Sequence, residues 1–167
     1  MKKKIVIAAL ALAMLPGMAF AADFSGTFAR DPAASSPSAW PIYWITRDIP
    51  AGGGGGGGQA VITVKQSKTT LEITDPARII RKLALDGKPY VVNHETGVVK
   101  QTVTTAVQGD NIVVTTVQPY SGLPGSVTTN VKDTWSLSPD GKVLTVTTVR
   151  STPALADVTT KQVYNKR

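Results

Sequence analysis

Hydrophobic and polar residues alternate along most of the chain after residue 60, in short runs separated by turn residues. Segment 126–137 shows this most clearly, because one of its faces is apolar and the other is polar. The apolar face holds Val127, Val131, Trp135 and Leu137, and the polar face holds Thr128, Asn130, Lys132 and Thr134. A period of two in segments rich in Val, Ile and Thr predicts half-buried β-strands.

The same alternation predicts a series of strands along the whole chain. They cover 23–28, 60–66, 69–74, 78–85, 90–93, 98–108, 112–118, 126–137, 142–150 and 158–165. Turns such as Asp86–Pro89 and Ser138–Gly141 separate them, and no segment after residue 21 has a helical period. The pattern predicts an all-β, antiparallel up-and-down meander of about 8–10 strands. A barrel is favoured over a sandwich because the hairpins are sequential and closure removes exposed edges.

The first 21 residues have a different pattern. A basic head at Met1–Lys4 precedes an apolar run at Ile5–Leu15, and Ala19–Phe20–Ala21 is a small-x-small cleavage signal. This order predicts a secretory signal peptide over residues 1–21. The apolar run is shorter than the roughly 20 residues that span a bilayer. We therefore expect a mature single domain at 22–167 that is periplasmic or secreted and is not an integral membrane protein.

Composition narrows the functions further. The chain has no Cys, which excludes disulfides and a lipid-modified cysteine anchor. Its formal charge of +7 includes Lys2, Lys3 and Lys4, so the expected mature charge is 7 − 3 = +4. The remaining cations are scattered and no basic stripe alternates with aromatic residues, which argues against specific nucleic-acid binding. Strand faces of Thr, Lys, Asn and Gln also argue against a transmembrane barrel.

Residues 31–59 interrupt the strand pattern and are predicted to be an insertion in the barrel domain. Three aromatic residues lie close together in the sequence there, namely Trp40, Tyr43 and Trp44. The later positions Gly52–Gly58 are all glycine. A phosphate-binding loop would need Lys and Ser or Thr after its last glycine and a helix behind it, and neither is present. The glycine run is therefore interpreted as a flexible connector. The aromatic residues either plug the barrel end as core or contact a ligand at its mouth.

Candidate catalytic and metal-binding residues are few. His94 is the only histidine, and with Glu95 it falls in a predicted turn without further metal ligands. No nucleophile elbow is present. Asp133 is the one acid predicted to point inward, on the Trp135 face, and Arg81 is a candidate partner for it. Such a pair is either a buried or rim ion pair or the polar group of a ligand cavity. We expect no catalysis, no metal and no cofactor.

Several motifs occur in an order typical of one group of exported proteins. They are Phe24–Phe28, Leu85–Pro89, the hairpin Trp135–Val146 and the closing segment Thr160–Lys166. This order resembles a family of small exported bacterial proteins, mostly without assigned activity, whose fold looks like a lipocalin-type barrel. Phe28 stands where that family has Trp, and the aromatic segment and the glycine run depart from its pattern. The resemblance implies a fold, and it carries over no ligand residue.

Two functional hypotheses follow. The first is an exported barrel that binds a small apolar or amphipathic ligand, because barrels of about eight strands can hold one such molecule. The expected ligand-binding residues are Trp40, Tyr43, Trp44, Arg81, Asp133 and Trp135. The second is a structural or interaction protein of the cell envelope, with a filled barrel and a glycine-tethered aromatic arm that docks to a protein partner. Bulky side chains throughout the interior would favour the second hypothesis.

Overall fold

The computed structural model describes residues 22–36, 61–74, 78, 80–93, 100–120 and 127–167. The described residues form ten strands, with no helix among them. The strands are β1 (Gly26–Arg30), β2 (Val61–Gln66), β3 (Thr70–Thr74), β4 (Ile80–Ala84), β5 (Pro89–Asn93), β6 (Lys100–Gln108), β7 (Asn111–Tyr120), β8 (Val127–Leu137), β9 (Val143–Ser151) and β10 (Val158–Lys166). Within this part of the chain, no helix long and apolar enough to cross a membrane is found.

The strands form one antiparallel sheet in the order β4-β3-β2-β1-β10-β9-β8-β7-β6-β5. Sequential hairpins build two meanders, β1–β4 and β5–β10, and the pairing of β1 with β10 joins them. β4 and β5 are the edges, and these two described strands do not pair with each other. Gly87, between them, donates its backbone N–H to the carbonyl of Thr105 on β6 at 3.0 Å. The sheet therefore curls into a half-barrel.

The up-and-down order gives the half-barrel two distinct ends. At the turn end, each even-numbered strand from β2 to β8 leads into the next strand through a short turn. At the connector end, each odd-numbered strand stops and the next strand begins. Both Ala22 and Arg167 lie near the turn end, where the Arg167 N–H donates to the carbonyl of Thr27 at 2.9 Å.

Local side-chain chemistry fixes the β8–β9 turn. The Ser138 hydroxyl donates to Asp140 Oδ1 at 2.6 Å, and the same oxygen accepts the Lys142 N–H at 3.1 Å. Gly141 has φ +69°, a left-handed conformation that costs glycine little. This turn was predicted from the sequence, and the structure confirms it.

The inner face of the sheet carries the core. Most of the strands and the residues before β1 contribute fully or nearly fully buried side chains. The core residues are Phe24, Phe28, Ile62, Val64, Leu71, Ile73, Leu83, Val103, Ile112, Val114, Trp135, Leu144, Val146 and Tyr164. Trp135, Tyr164 and Phe24 are among the largest of these, and they fill the turn end of the interior.

The predicted all-β meander is confirmed with ten strands. The majority of the strand ends differ from the predicted ends by one to three residues, and the others coincide. The predicted faces of β8 are also confirmed, since Asp133 and Trp135 are buried while Asn130 and Lys132 are exposed. The first residues of the predicted insertion lie alongside β10, where the Ser36 N–H donates to the carbonyl of Lys161 at 2.8 Å. The rest of that segment, which includes Trp40, Tyr43, Trp44 and the glycine run, lies outside the described residues.

Candidate functional site: a polar band inside the half-barrel

The register of β6–β9 aligns polar side chains on the inner face of the sheet. Thr105 lies opposite Val114, which lies opposite Asp133, which in turn lies opposite Thr148. Directly opposed residues of antiparallel strands point to the same face. Asp133 is only 2% exposed. The row therefore faces the interior, where apolar side chains would be expected.

We call the buried polar side chains of this region the inner polar band. Each member is 7% exposed or less. The members are Gln101, Thr105, Thr116, Thr129, Asp133 and Thr152. They lie from the middle of β6–β9 to the connector end, so the interior is apolar at the turn end and polar toward the connector end.

Asp133 is the acidic member of the band. Its Oδ1 accepts a short hydrogen bond from the Thr148 hydroxyl on β9. Burial raises the pKa of Asp133 to about 6, against the smaller lowering effects of that hydrogen bond and of the positive charge of Arg150. The carboxyl is therefore largely ionised at neutral pH and becomes protonated in mildly acidic solution.

Several polar atoms of this region have no hydrogen-bond partner among the described residues. They are Oδ2 of Asp133, Oγ1 of Thr105, Oγ1 of Thr116, Oε1 of Gln101 and, beside the band, Nε1 of Trp135 and the hydroxyl of Tyr90. Buried polar groups in folded proteins almost always have a partner, because a buried group without one costs roughly 1–3 kcal/mol. Six such atoms lie in this one region, which makes it the least satisfied part of the described interior.

Other members of the band are satisfied within the protein. The hydroxyls of Thr129 and Thr152 share a hydrogen bond of 2.7 Å. Gln101 Nε2 donates to Gln118 Oε1 at 2.8 Å. These bonds link neighbouring strands near the connector end, so the band combines a fixed polar frame with atoms that lack partners.

The hydroxyl of Tyr90 on β5 points toward Thr105. Burial raises the pKa of Tyr90, while the Thr105 hydroxyl lowers it, although neither oxygen makes a hydrogen bond of normal geometry. This contact places the short edge strand β5 next to the polar band.

Three half-buried arginines take inner-face positions. Arg30 lies opposite Tyr164, Arg81 opposite Ile73 and Arg150 opposite Val131. All three lie in the connector half of their strands. Within the described strands, the inner face thus carries three arginines and the single carboxyl group of Asp133, a balance that disfavours a cationic ligand.

The inner face of the β1–β4 meander is apolar in contrast. Its buried side chains are Phe28, Ile62, Val64, Leu71, Ile73 and Leu83. They belong to one contiguous cluster with side chains of β6–β9. The described interior is therefore apolar on the side of β1–β4 and contains the polar band on the side of β6–β9.

Of the predicted ligand-binding residues, Asp133 and Trp135 lie together on the inner face of β8. Arg81 has the predicted inner-face position on β4, but the cation that lowers the pKa of Asp133 is Arg150. Trp40, Tyr43 and Trp44 lie outside the described residues. Binding of a ligand by any of these residues stays a prediction.

Sequence reasoning did not find Thr105, Thr116, Gln101, Thr148 or Arg150. The first two lie on β6 and β7, where both faces mix Val and Thr, so alternation does not show which face is inner. A usable signal existed on β9, because Thr148 and Arg150 continue the spacing of Leu144 and Val146. Extending that spacing from Val146 by two and by four residues predicts that Thr148 and Arg150 lie on the inner face.

The described residues contain no group of three or more His, Cys, Asp or Glu side chains that could hold a metal ion. His94 and Glu95 lie outside them. The inner polar band offers hydrogen-bond donors and acceptors and the carboxyl group of Asp133.

No protein-family model matches the chain, and no curated protein sequence matches it. Among solved structures, it is similar to zebrafish ileal bile acid-binding protein complexed with cholic acid. The two are 17% identical with a TM-score of 0.54, and the match covers 86% of this chain and 98% of the zebrafish chain. At this identity the likeness shows the fold alone. The chain has a lipocalin-like β-barrel fold.

Proposed function

We propose that this chain is an exported β-barrel that binds a small amphipathic ligand in its interior and catalyses no reaction on it. The observation that carries the proposal is the inner polar band with atoms that lack partners, beside the apolar inner face of β1–β4. An interior that served only as a core would hold apolar side chains, because each unsatisfied buried polar group lowers stability.

The distribution of side chains indicates how the ligand lies. The turn end is filled by Trp135, Tyr164 and Phe24, so the ligand occupies the connector half. Its apolar part packs against β1–β4 and its polar part contacts the band. The inner-face arginines favour a neutral or anionic ligand.

The structural likeness supports small-ligand binding in general terms. The zebrafish protein is described as a bile acid-binding protein and is complexed with cholic acid.

Export is part of the proposal and rests on the sequence of residues 1–21. We expect the protein purified from the periplasm or the medium to begin at Ala22. N-terminal sequencing and the intact mass test this, and a chain that retains Met1–Ala21 and stays in the cytoplasm would contradict it.

Blocking the interior tests ligand binding. Val131 lies on the inner face between Thr116 and Arg150, whereas its neighbour Lys132 is exposed on the outer face. We expect wild type and Lys132→Phe to enhance the fluorescence of 1-anilinonaphthalene-8-sulfonate equally. Val131→Phe should weaken the binding at least tenfold, because the added ring occupies the proposed ligand space. Equal binding by both variants would place the dye outside the barrel.

A filled barrel that acts as an envelope interaction protein is the second candidate. It is favoured by Trp135, Tyr164 and Phe28, which are fully buried. It predicts that wild type binds no amphipathic probe and that native mass spectrometry of protein from its own periplasm shows a bare mass.

A further inference from the structure

The strand β4 forms one edge of the described sheet, and its pairing with β3 determines which of its backbone groups are bonded. The Leu85 N–H donates to the carbonyl of Thr69 at 2.8 Å, in the same register as the β3–β4 pairing. In an antiparallel pair, residues bonded to the partner strand alternate with residues whose N–H and C=O point away from it. The backbone groups of Ile80, Lys82 and Ala84 therefore point to the edge, where no described strand pairs with them.

The side chains at this edge are accessible from solvent. Lys82 lies on the outer face with 70% of its side chain exposed, and Ile80 on the same face is 55% exposed. At the opposite edge of the sheet, β5 has no charged residue and begins with Pro89, which has no N–H to donate. β4 is therefore the edge that offers both backbone hydrogen bonds and charge.

The charge of this edge is positive. Segment 78–84 carries three cations and no acid. The acid opposite it is Glu72 on β3, which lies 3.4 Å from the ammonium group of Lys82. Asp75 and Asp86 belong to the connections that precede and follow the segment, and not to the strand itself. A strand that ran alongside β4 would therefore gain from an acidic side chain opposite Lys82.

An extended peptide is the partner that fits these features. Its backbone offers donors and acceptors at the repeat of a strand edge, whereas a phosphate-rich polymer or an anionic lipid would match the charge alone. A second copy of the chain fits less well. Pairing of two β4 strands about Lys82 would set two lysines directly opposite each other, and pairing with β5 of a second copy would bring no acid to Lys82.

We infer that β4 is a docking edge for an extended acidic segment of another protein, which adds to the sheet as a strand beside β4. Directly opposed residues share a face, so the acid opposite Lys82 lies on the outer face. The residues two positions before and after that acid lie beside Ile80 and Ala84, which favours apolar side chains there. The expected pattern of the segment is apolar–x–acidic–x–apolar. This docking edge lies outside the interior and does not depend on the proposed ligand binding.

Amide hydrogen exchange of the ligand-free mature protein tests whether the edge is available. We expect the N–H groups of Ile80 and Lys82 to exchange freely, while those of Arg81 and Leu83, which face β3, are protected. Protection of Ile80 and Lys82 in the free protein would show that another part of the chain already pairs with this edge, and would overturn the inference.

A peptide titration tests docking directly. The probe is the acetylated and amidated peptide TVTETVT, which has the expected pattern and is followed by NMR of the isotope-labelled protein. We expect the amide signals of Ile80 and Lys82 to shift, and their exchange to slow about tenfold near saturation. The peptide TVTKTVT should bind about five- to tenfold more weakly, because a lysine then lies opposite Lys82. TVTETVT that is N-methylated on its valines and glutamate should not bind, because the N–H groups that face β4 are lost.

Three variants separate charge from backbone pairing. Lys82→Gln should weaken TVTETVT binding about two- to fivefold, as for one exposed ion pair. Lys65→Gln is the matched control, because Lys65 lies opposite Glu72 on β2 and loses the same charge from the same row without reaching the edge. It should leave the affinity unchanged. Lys82→Pro also removes the N–H that points to the edge and spares the bonds to β3, so it should weaken binding about fivefold more than Lys82→Gln.

Near-ultraviolet circular dichroism checks that each variant keeps the fold. If TVTETVT shifts no signal of β4 at millimolar concentration, or if Lys65→Gln weakens binding as much as Lys82→Gln, the inference is wrong. Equal binding of the N-methylated peptide would show charge attraction without strand addition and would also overturn it. None of these outcomes bears on ligand binding in the interior, which the dye experiment tests separately.

Discussion

The sign of a Thr→Val effect on stability should depend on whether the threonine hydroxyl has a partner. Thr116 and Thr129 are both on the inner face and are each 1% exposed. The Thr116 hydroxyl has no partner among the described residues, whereas the Thr129 hydroxyl is 2.7 Å from that of Thr152. Valine has nearly the same shape as threonine, so packing changes little and the hydrogen-bonding term decides the result.

The expected magnitudes follow from the cost of burying a hydroxyl. Thr116→Val removes a polar group that lost its water on folding and gained no partner, so the free energy of unfolding should rise by about 1 kcal/mol. Thr129→Val leaves the Thr152 hydroxyl buried and unpaired, so the free energy of unfolding should fall by about 1–2 kcal/mol. The two variants should therefore differ by roughly 2–3 kcal/mol for the same chemical change.

Urea unfolding of the ligand-free protein, followed by tryptophan fluorescence, measures the difference. The slope against urea should stay constant while the midpoint moves up for Thr116→Val and down for Thr129→Val. The double variant Thr129→Val/Thr152→Val should recover most of the loss, because it removes both members of the pair. Destabilisation of similar size by both single variants would show that the Thr116 hydroxyl has a partner and would refute the reasoning.

Two further predictions concern pH and a turn. Because burial raises the pKa of Asp133 to about 6 from the ordinary aspartate value of about 3.9, the folded state binds more protons than the unfolded state between these values. Wild-type stability relative to Asp133→Asn should therefore rise by roughly 2 kcal/mol as pH falls from 7 to 4, and urea unfolding across this range should show no such trend if the carboxyl is solvated. Gly141→Ala should lower the unfolding free energy by about 1 kcal/mol because φ is +69°, whereas the exposed neighbour Lys142→Ala should change it little; equal effects would contradict the conformational argument.

The fold could be predicted where side-chain types differ between the two faces of a strand. On β8, Trp135 and Lys132 cannot exchange faces without burying a charge, so alternation fixed the register and placed Asp133 inside. On β6 and β7 the same method fails, because a Val/Thr mixture costs little on either face. The polar band is built largely from threonines of that kind, so it became visible only with the strand pairings.

The sequence pattern also could not predict which strands pair when they are distant along the chain. Hairpin spacing shows which consecutive strands pair, but it carries no information on the contact between β1 and β10. Arg150 acts on Asp133 because β8 pairs with β9, and the sequence alone does not show that these two residues are close. Arg81 was predicted as the partner of Asp133 because it interrupts an apolar face in the sequence.

The pairing of β1 with β10 has a consequence for how quickly the sheet assembles. It is the only strand pairing in the described sheet that joins segments more than a hundred residues apart, so it requires closure of the largest loop. A circular permutant that links Arg167 to Ala22 through a short linker and opens the chain at 85–88 would place the strands in the order β5 to β10, then β1 to β4. Every pairing would then be a hairpin between consecutive strands, and refolding should be faster than in the natural order while the native sheet is unchanged.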